Sequence, residues 1–243
     1  MQSGNYMSNI WIIMKREFAG YFGSPVAYVF IVIFLLLTGF FTFYISNFFE
    51  AGQADLKGFF QWHPWLFMFL VPAVAMRLWA EERRLGTIEL LLTLPVTITD
   101  VVLGKFLAAW CFIGIALILT FPLVLTTMYL GNPDLGVIFC AYLGSFLMAG
   151  TFLSVGSMTS AITRSQVVSF ILAVVACLFL ILAGFAPVTA VLSGWAPMWL
   201  VDLVSSTSVL SHFASIARGV LDVRDLLYYL SVRVFMIFVI GGI

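Results

Sequence analysis

Charged residues stand so far apart in this chain that the intervals between them decide what it can fold into. Uncharged runs of 32 residues separate Glu17 from Glu50, 19 separate Lys57 from Arg77, and 28 separate Lys105 from Asp134. A further 29 lie between Asp134 and Arg164, and 37 between Arg164 and Asp202. An ionisable side chain at mid-bilayer costs roughly 2.5–3.5 kcal/mol on insertion scales, so runs of this length read as membrane spans of about 20 residues. Composition agrees: 63% of the 243 residues are hydrophobic and 9% are charged. Eleven basic and eleven acidic residues cannot cover the surface of a soluble globule of this size. A soluble enzyme, a disordered tail and a disulfide-stapled secreted domain are excluded.

The intervals predict an all-α integral membrane protein with six transmembrane helices, in one transmembrane domain over residues 1–243. The helices are expected over 26–46, 58–76, 106–130, 136–162, 167–184 and 226–243. The run from Arg164 to Asp202 is too long for one span and too short for two; Phe185, Ala186 and Pro187 stop the fifth helix. Beyond it Gly194, Pro197, Trp195 and Trp199 suit interfacial or re-entrant structure, since indole rings prefer the headgroup layer. The sixth span rises only about 27 Å from Leu226 to the last residue and holds Arg233 in its middle. That cation requires a partner helix, water, or a C-terminus that continues beyond the sequence.

Lys and Arg set the orientation. Lys15, Arg16, Arg77, Arg83, Arg84, Lys105 and Arg164 fall on one side of a six-span arrangement, and Lys57, Arg218 and Arg224 on the other. Seven against three places both termini and the loop between the second and third helices in the cytoplasm of a multi-pass protein. The net charge of zero gives no electrostatic support for nucleic-acid binding.

Two segments are not spans. Residues 10–22, IWIIMKREFAGYF, set Lys15, Arg16 and Glu17 between apolar and aromatic flanks. They form either an N-terminal interfacial helix or a positive flank that orients the first span. Residues 77–105 make a cytoplasmic loop. Its start is too charged for the membrane, and the apolar run from Ile88 to Leu94, bracketed by Gly86 and Pro95, is too short to cross. Thr97-Ile98-Thr99-Asp100 has the pattern of a helix start, with Thr97 as cap and Asp100 in the first turn. The Leu-rich element from Leu85 to Pro95 either needs a partner or folds back on its own helix ends. In the fourth helix, 12 of the 20 residues from Gly144 to Thr163 are Gly, Ala, Ser or Thr. Gly156-x-x-x-Ser160 permits close helix approach, and a polar lining for a transport path is the other reading.

Catalytic signatures are missing. No G-x-x-x-x-G-K-[ST] loop exists: at Gly104-Lys105, Phe106 stands in the Ser/Thr position. His63 and His212 lack neighbours at metal-ligand spacing, and Cys111, Cys140 and Cys177 each sit alone in apolar runs. The chain is therefore expected not to be an enzyme and to hold no cofactor of its own.

Glu81-Glu82-Arg83-Arg84, Gly86-Thr87-Ile88-Glu89, Leu91 to Val96 and Gly104-Lys105 resemble the permease subunits of type-two ATP-binding-cassette exporters. The likeness continues at Lys15-Arg16-Glu17, Tyr21 to Pro25, Ser211-His212-Phe213, Arg218-Gly219-Val220 and Asp222 to Tyr229. Within the family it most resembles the bacterial gliding-motility permeases and the permease of nitrous-oxide-reductase maturation. The resemblance implies a pair of permeases, a homodimer in its simplest form, in the inner membrane of a bacterium. Two ATPase subunits that bind ATP and Mg would dock beneath it. It further implies that 85–95 is a coupling helix. Glu81, Glu82, Arg83, Arg84, Gly86, Thr87 and Glu89 would be its polar contacts to the ATPase, with Leu90, Leu91, Thr93 and Pro95 in the packing core. Residues 187–225 would form an extracytoplasmic cap.

Overall fold

The computed structural model describes residues 3–50, 52–86, 96–194 and 196–242, and among these every regular element is helical. Helix α1 spans Ser3–Phe22. It is followed by α2, Pro25–Phe40, which runs on through a single wide turn at Phe41–Ile45. Ser24 caps α2 by accepting from the Val26 amide, and Pro25, which has no N–H to leave unsatisfied, opens the first turn.

A short α3, Lys57–Gln61, leads into α4, His63–Ala75, and α5, Arg77–Leu85. Next come α6, Ile98–Ile118, and α7, Phe121–Leu130, joined at Leu119 and Thr120 ahead of Pro122. Helix α8, Leu135–Ile162, is the longest, and α9 spans Gln166–Leu182. Three short helices, α10 Ala186–Ser193, α11 Met198–Ser206 and α12 Val209–Ile216, precede α13, Val223–Gly242.

Four described stretches are long and apolar enough to cross a membrane: Pro25–Ile45, His63–Leu85, Ile98–Leu130 and Leu135–Ile162. Helices α9 and α10 together pass the same test but bend by 68° at Gly184, giving a fifth crossing if the bent pair is one span. Val223–Gly242, which carries Arg224, Asp225 and Arg233, is not among them. Length and composition thus give four or five crossings where six were expected.

Helix α8 is the axis of the bundle, with α4, α5, α6, α9, α12 and α13 packed around it. Its small residues make this possible. A Cβ on Gly156 would stand 2.5 Å from that of Ala75, so α4 and α8 meet backbone to backbone. Ser145, Ser154, Ser157 and Ser160 are all buried, and the hydroxyls of Ser145 and Ser154 donate to carbonyls of their own helix. Of the two readings of this stripe, close packing is the one the helix adopts.

The loop expected over 77–105 is helical at both ends. Helix α5 continues the line of α4 past a break at Met76, and α6 begins at Ile98, eight residues before the span expected from 106. This is the start that the Thr97–Asp100 pattern predicts, and its cap is the reason. Thr97 Oγ1 accepts from the Asp100 amide and the Asp100 carboxylate accepts from the Thr97 amide, so two otherwise orphaned N–H groups are satisfied.

Candidate functional site

Segment 87–95, which holds Thr87, Glu89, Leu90, Leu91, Thr93 and Pro95 of the expected contact set, lies outside the described residues. Its two anchoring ends, by contrast, are built in detail. Helix α5 stops at Gly86, whose φ of 70° is left-handed and comes cheaply only to glycine. Arg83 and Arg84 sit in the last turn of α5, where their charge opposes the negative end of the helix dipole. Arg84, Leu85 and Gly86 are exposed; Glu81 and Arg83 are half-buried. Glu81 Oε2 accepts from Arg77 Nε at 3.2 Å, one turn earlier.

Glu82 points the other way, into the protein. Its Oε1 lies 2.7 Å from the Lys105 ammonium, which also lies 3.2 Å from Glu17 Oε1. One lysine, only 4% exposed, therefore ties α1, α5 and α6 together through two carboxylates, with the Trp79 ring 5.8 Å away. An ammonium about two turns into an apolar helix needs such partners, because burial without them is prohibitive. Burial pushes the Glu17 carboxyl up, but the charges of Lys105 and Arg16 outweigh it and hold the group below the usual carboxylate range.

The other face of α5 is fastened to α8. The break at Met76 leaves the first amides of α5 without intrahelical acceptors. Ser160 Oγ accepts from the Trp79 and Ala80 amides at 3.1 and 3.0 Å and donates to the Met76 carbonyl at 2.9 Å. Trp79 Nε1 donates to Ser157 Oγ at 3.1 Å. On its other side α6 is locked to α1, where a Cβ on Gly104 would fall 2.7 Å from the Ile13 side chain.

Beside the lysine a cavity of about 440 Å3 opens between α1, α2 and the α4–α5 junction. Glu17, Arg77, Glu81 and Lys105 lie at its charged end, and Val29, Phe30 and Ile33 line its apolar wall.

Of the residues expected from sequence, Glu81, Glu82, Arg83, Arg84 and Gly86 thus lie on one short helix, and Glu82 joins a cluster with Glu17 and Lys105. Those two were outside the expected contact set, as were Ser157 and Ser160. Lys105 carried a readable signal, being a cation inside a capped apolar helix. The serines were marked only as small residues of a close-packing stripe, since their hydrogen-bond partners lie some 80 positions away.

A family model described as ABC-2 family transporter protein matches residues 11–240, nearly the whole chain, and the chain belongs to that family. No curated protein matches it. Its apolar helices make it a multi-pass membrane protein, and permeases of this family typically work with an ATPase subunit.

Proposed function

We propose that this chain is the permease subunit of an ATP-driven exporter, coupling hydrolysis by two separate ATPase subunits to movement of substrate across a bacterial inner membrane. In this reading α13 is a sixth crossing, both termini are cytoplasmic and two copies of the chain pair. The chain itself is not an enzyme, and ATP and Mg belong to the partner. Segment 85–95 is the coupling helix, with Glu89 and the Leu90–Leu94 face toward the ATPase.

The observation that carries the reading is the fastening of both ends of that segment. Lys105 with its two glutamates and Ser160 with its three backbone partners join the flanks of 87–95 to α1, α6 and α8. A push on the segment therefore moves several helices at once. The cavity between α1 and α2, charged at one end and apolar along its wall, suits an amphipathic cargo. Likeness to the gliding-motility and nitrous-oxide-reductase-maturation permeases supports a second reading, a non-transporting anchor or mechanotransducer of an ATPase-driven assembly. The close packing of α8, which leaves its hydroxyls bonded to helix carbonyls, favours it.

Reversal of Glu89 (E89K) or polar substitution of the Leu90–Leu94 face is expected to abolish co-purification with the ATPase and its stimulation. Retention of both by both variants overturns the coupling assignment. ATP-dependent movement of lipid-like or peptide cargo in reconstituted vesicles separates exporter from anchor.

A further inference from the structure

At the far end of the bundle, four elements meet at residues 206–209, where α11 ends and α12 begins. The backbone there is held by side chains. The Tyr228 hydroxyl donates to the Thr207 carbonyl, and that of Tyr229 donates to the Val209 carbonyl at 3.2 Å. His212 Nε2 lies 3.0 Å from the Ser206 carbonyl, and its Nδ1 lies 2.6 Å from Asp225 Oδ1 on α13. Ser208, fully buried, caps α12 and presses on the bend of α9 and α10, where a Cβ on Gly184 would run into it. Movement at 206–209 is therefore movement of α11, α12 and α13 against one another and against the bend between α9 and α10.

The hydrogen count at His212 is decisive. A backbone carbonyl only accepts, so Nε2 must carry a hydrogen. A neutral imidazole then has a bare lone pair at Nδ1, and an ionised carboxylate has nothing to donate to it. At 2.6 Å two lone pairs would face each other. The contact closes only when the pair holds one further proton, on Nδ1 as an imidazolium–carboxylate pair or on Oδ1 as an acid beside a neutral ring. We infer that His212 and Asp225 form a proton-binding site, and that the bound proton fastens the 206–209 hinge to α13.

The surroundings suit this role. Asp225 is 6% exposed, and its Oδ2 is buried without a hydrogen-bond partner among the described residues, so the carboxylate depends on His212. The other ionisable groups against the ring are Tyr228, stacked at 4.1 Å, and Tyr229, edge-on at 6.4 Å, both on α13 with hydroxyls already donated to the hinge. On the remaining elements, Asp202 of α11 is exposed, Arg218 beyond α12 donates to the Ala214 carbonyl, and Asp222 accepts from the Arg224 amide before α13. Among the described contacts none of these touches the Asp225 carboxylate. The hinge is thus held by two phenols, whose hydroxyls are donated to its carbonyls, and by one pair whose contact depends on a shared proton. By linkage, a proton that binds only the closed hinge favours closure, so closure weakens as pH rises.

The test uses the full chain in nanodiscs. Only two histidines are present, so 15N-imidazole spectra resolve both rings, with H212Q as the assignment control. Along a series of rising pH, one proton should leave the His212–Asp225 pair. Hydrogen exchange over 206–212, referenced to intrinsic rates, should accelerate about tenfold with the same midpoint, the loss of one charge-assisted hydrogen bond. In D225N the new amide donates to Nδ1 while Nε2–H still donates to Ser206. That variant should stay protected with no pH dependence, whereas D225A should exchange fast throughout. A pH-independent wild-type hinge, or a D225N hinge that loosens with the wild-type midpoint, overturns the inference. None of these readouts involves nucleotide or an ATPase, so they stand or fall apart from the exporter assignment.

Discussion

Lys105 and Arg233 are both cations inside helices, 4% and 6% exposed, and the protein treats them in opposite ways. Lys105 receives two carboxylates, Glu17 and Glu82, from two other helices. Arg233 has no carboxylate within ion-pair distance among the described residues. Its guanidinium lies 4.6 Å from the Trp110 ring and donates to the Leu147 carbonyl, and its Nε is unpartnered. Trp110 is fixed in turn by stacking on Phe146 and donating to that residue's carbonyl at 2.9 Å. The difference follows from setting. Near the helix ends a carboxylate is tolerable and makes a strong tie, while deeper in the bundle a π-face and a backbone carbonyl neutralise the cation without introducing a second buried charge. The lysine is a structural knot whose parts depend on one another, and the arginine is an accommodated group.

The largest effect expected from this contrast is at Lys105. K105M leaves two glutamates crowded where one ammonium stood, and should destabilise the detergent-solubilised protein by about 3–5 kcal/mol. The triple variant K105M/E17Q/E82Q should recover most of that. Equal thermal stability of the single and triple variants would show the knot to be three independent residues. G150A comes next. A Cβ there falls 2.8 Å from Trp110 Nε1 and 3.0 Å from Arg233 Nε, so overpacking of about 1–3 kcal/mol should lower the melting temperature and perturb Trp fluorescence.

Acidification gives a smaller, graded loss confined to the lysine side. The Glu17 carboxyl is held low in the folded protein, so its stabilising contribution is complete above the unfolded carboxyl's range and disappears as pH falls through the folded one. Thermal melts on E17Q should be less acid-sensitive than on wild type. R233M should do least, within about 1 kcal/mol of wild type, because the lost cation–π contact is offset by removal of a charge that has no counter-ion. A penalty as large as that of K105M would erase the contrast.

Much of this was legible in the sequence for a physical reason: charge spacing and helix caps are local. The apolar run from Pro25 to Ile45, the length of α8 and the reciprocal Thr97–Asp100 box are read from residues within a few positions of one another. Lys105 was expected on a helix begun at Thr97, just ahead of the bilayer; its burial was not, because the structure supplies Glu17 and Glu82 from 88 and 23 positions before it. Such pairings leave no periodic trace. The same holds for Ser160 with α5 and for His212 with Asp225, where each side chain is unremarkable until folding chooses its neighbour. Phe185, Ala186 and Pro187 were read as the stop of the fifth helix; the structure ends α9 at Leu182 and turns the chain by 68° into α10 beside Ser208, a neighbour that no local pattern states.

The break at Met76 has a mechanical corollary. An interrupted helix ordinarily flexes, because amides and carbonyls at the gap swing freely to water. Here one hydroxyl grips both sides of the gap, taking two N–H groups from beyond it and giving its hydrogen to the carbonyl before it. The joint is thereby braced like a splinted elbow, with the residues on both sides of the gap tied to α8 through a single oxygen.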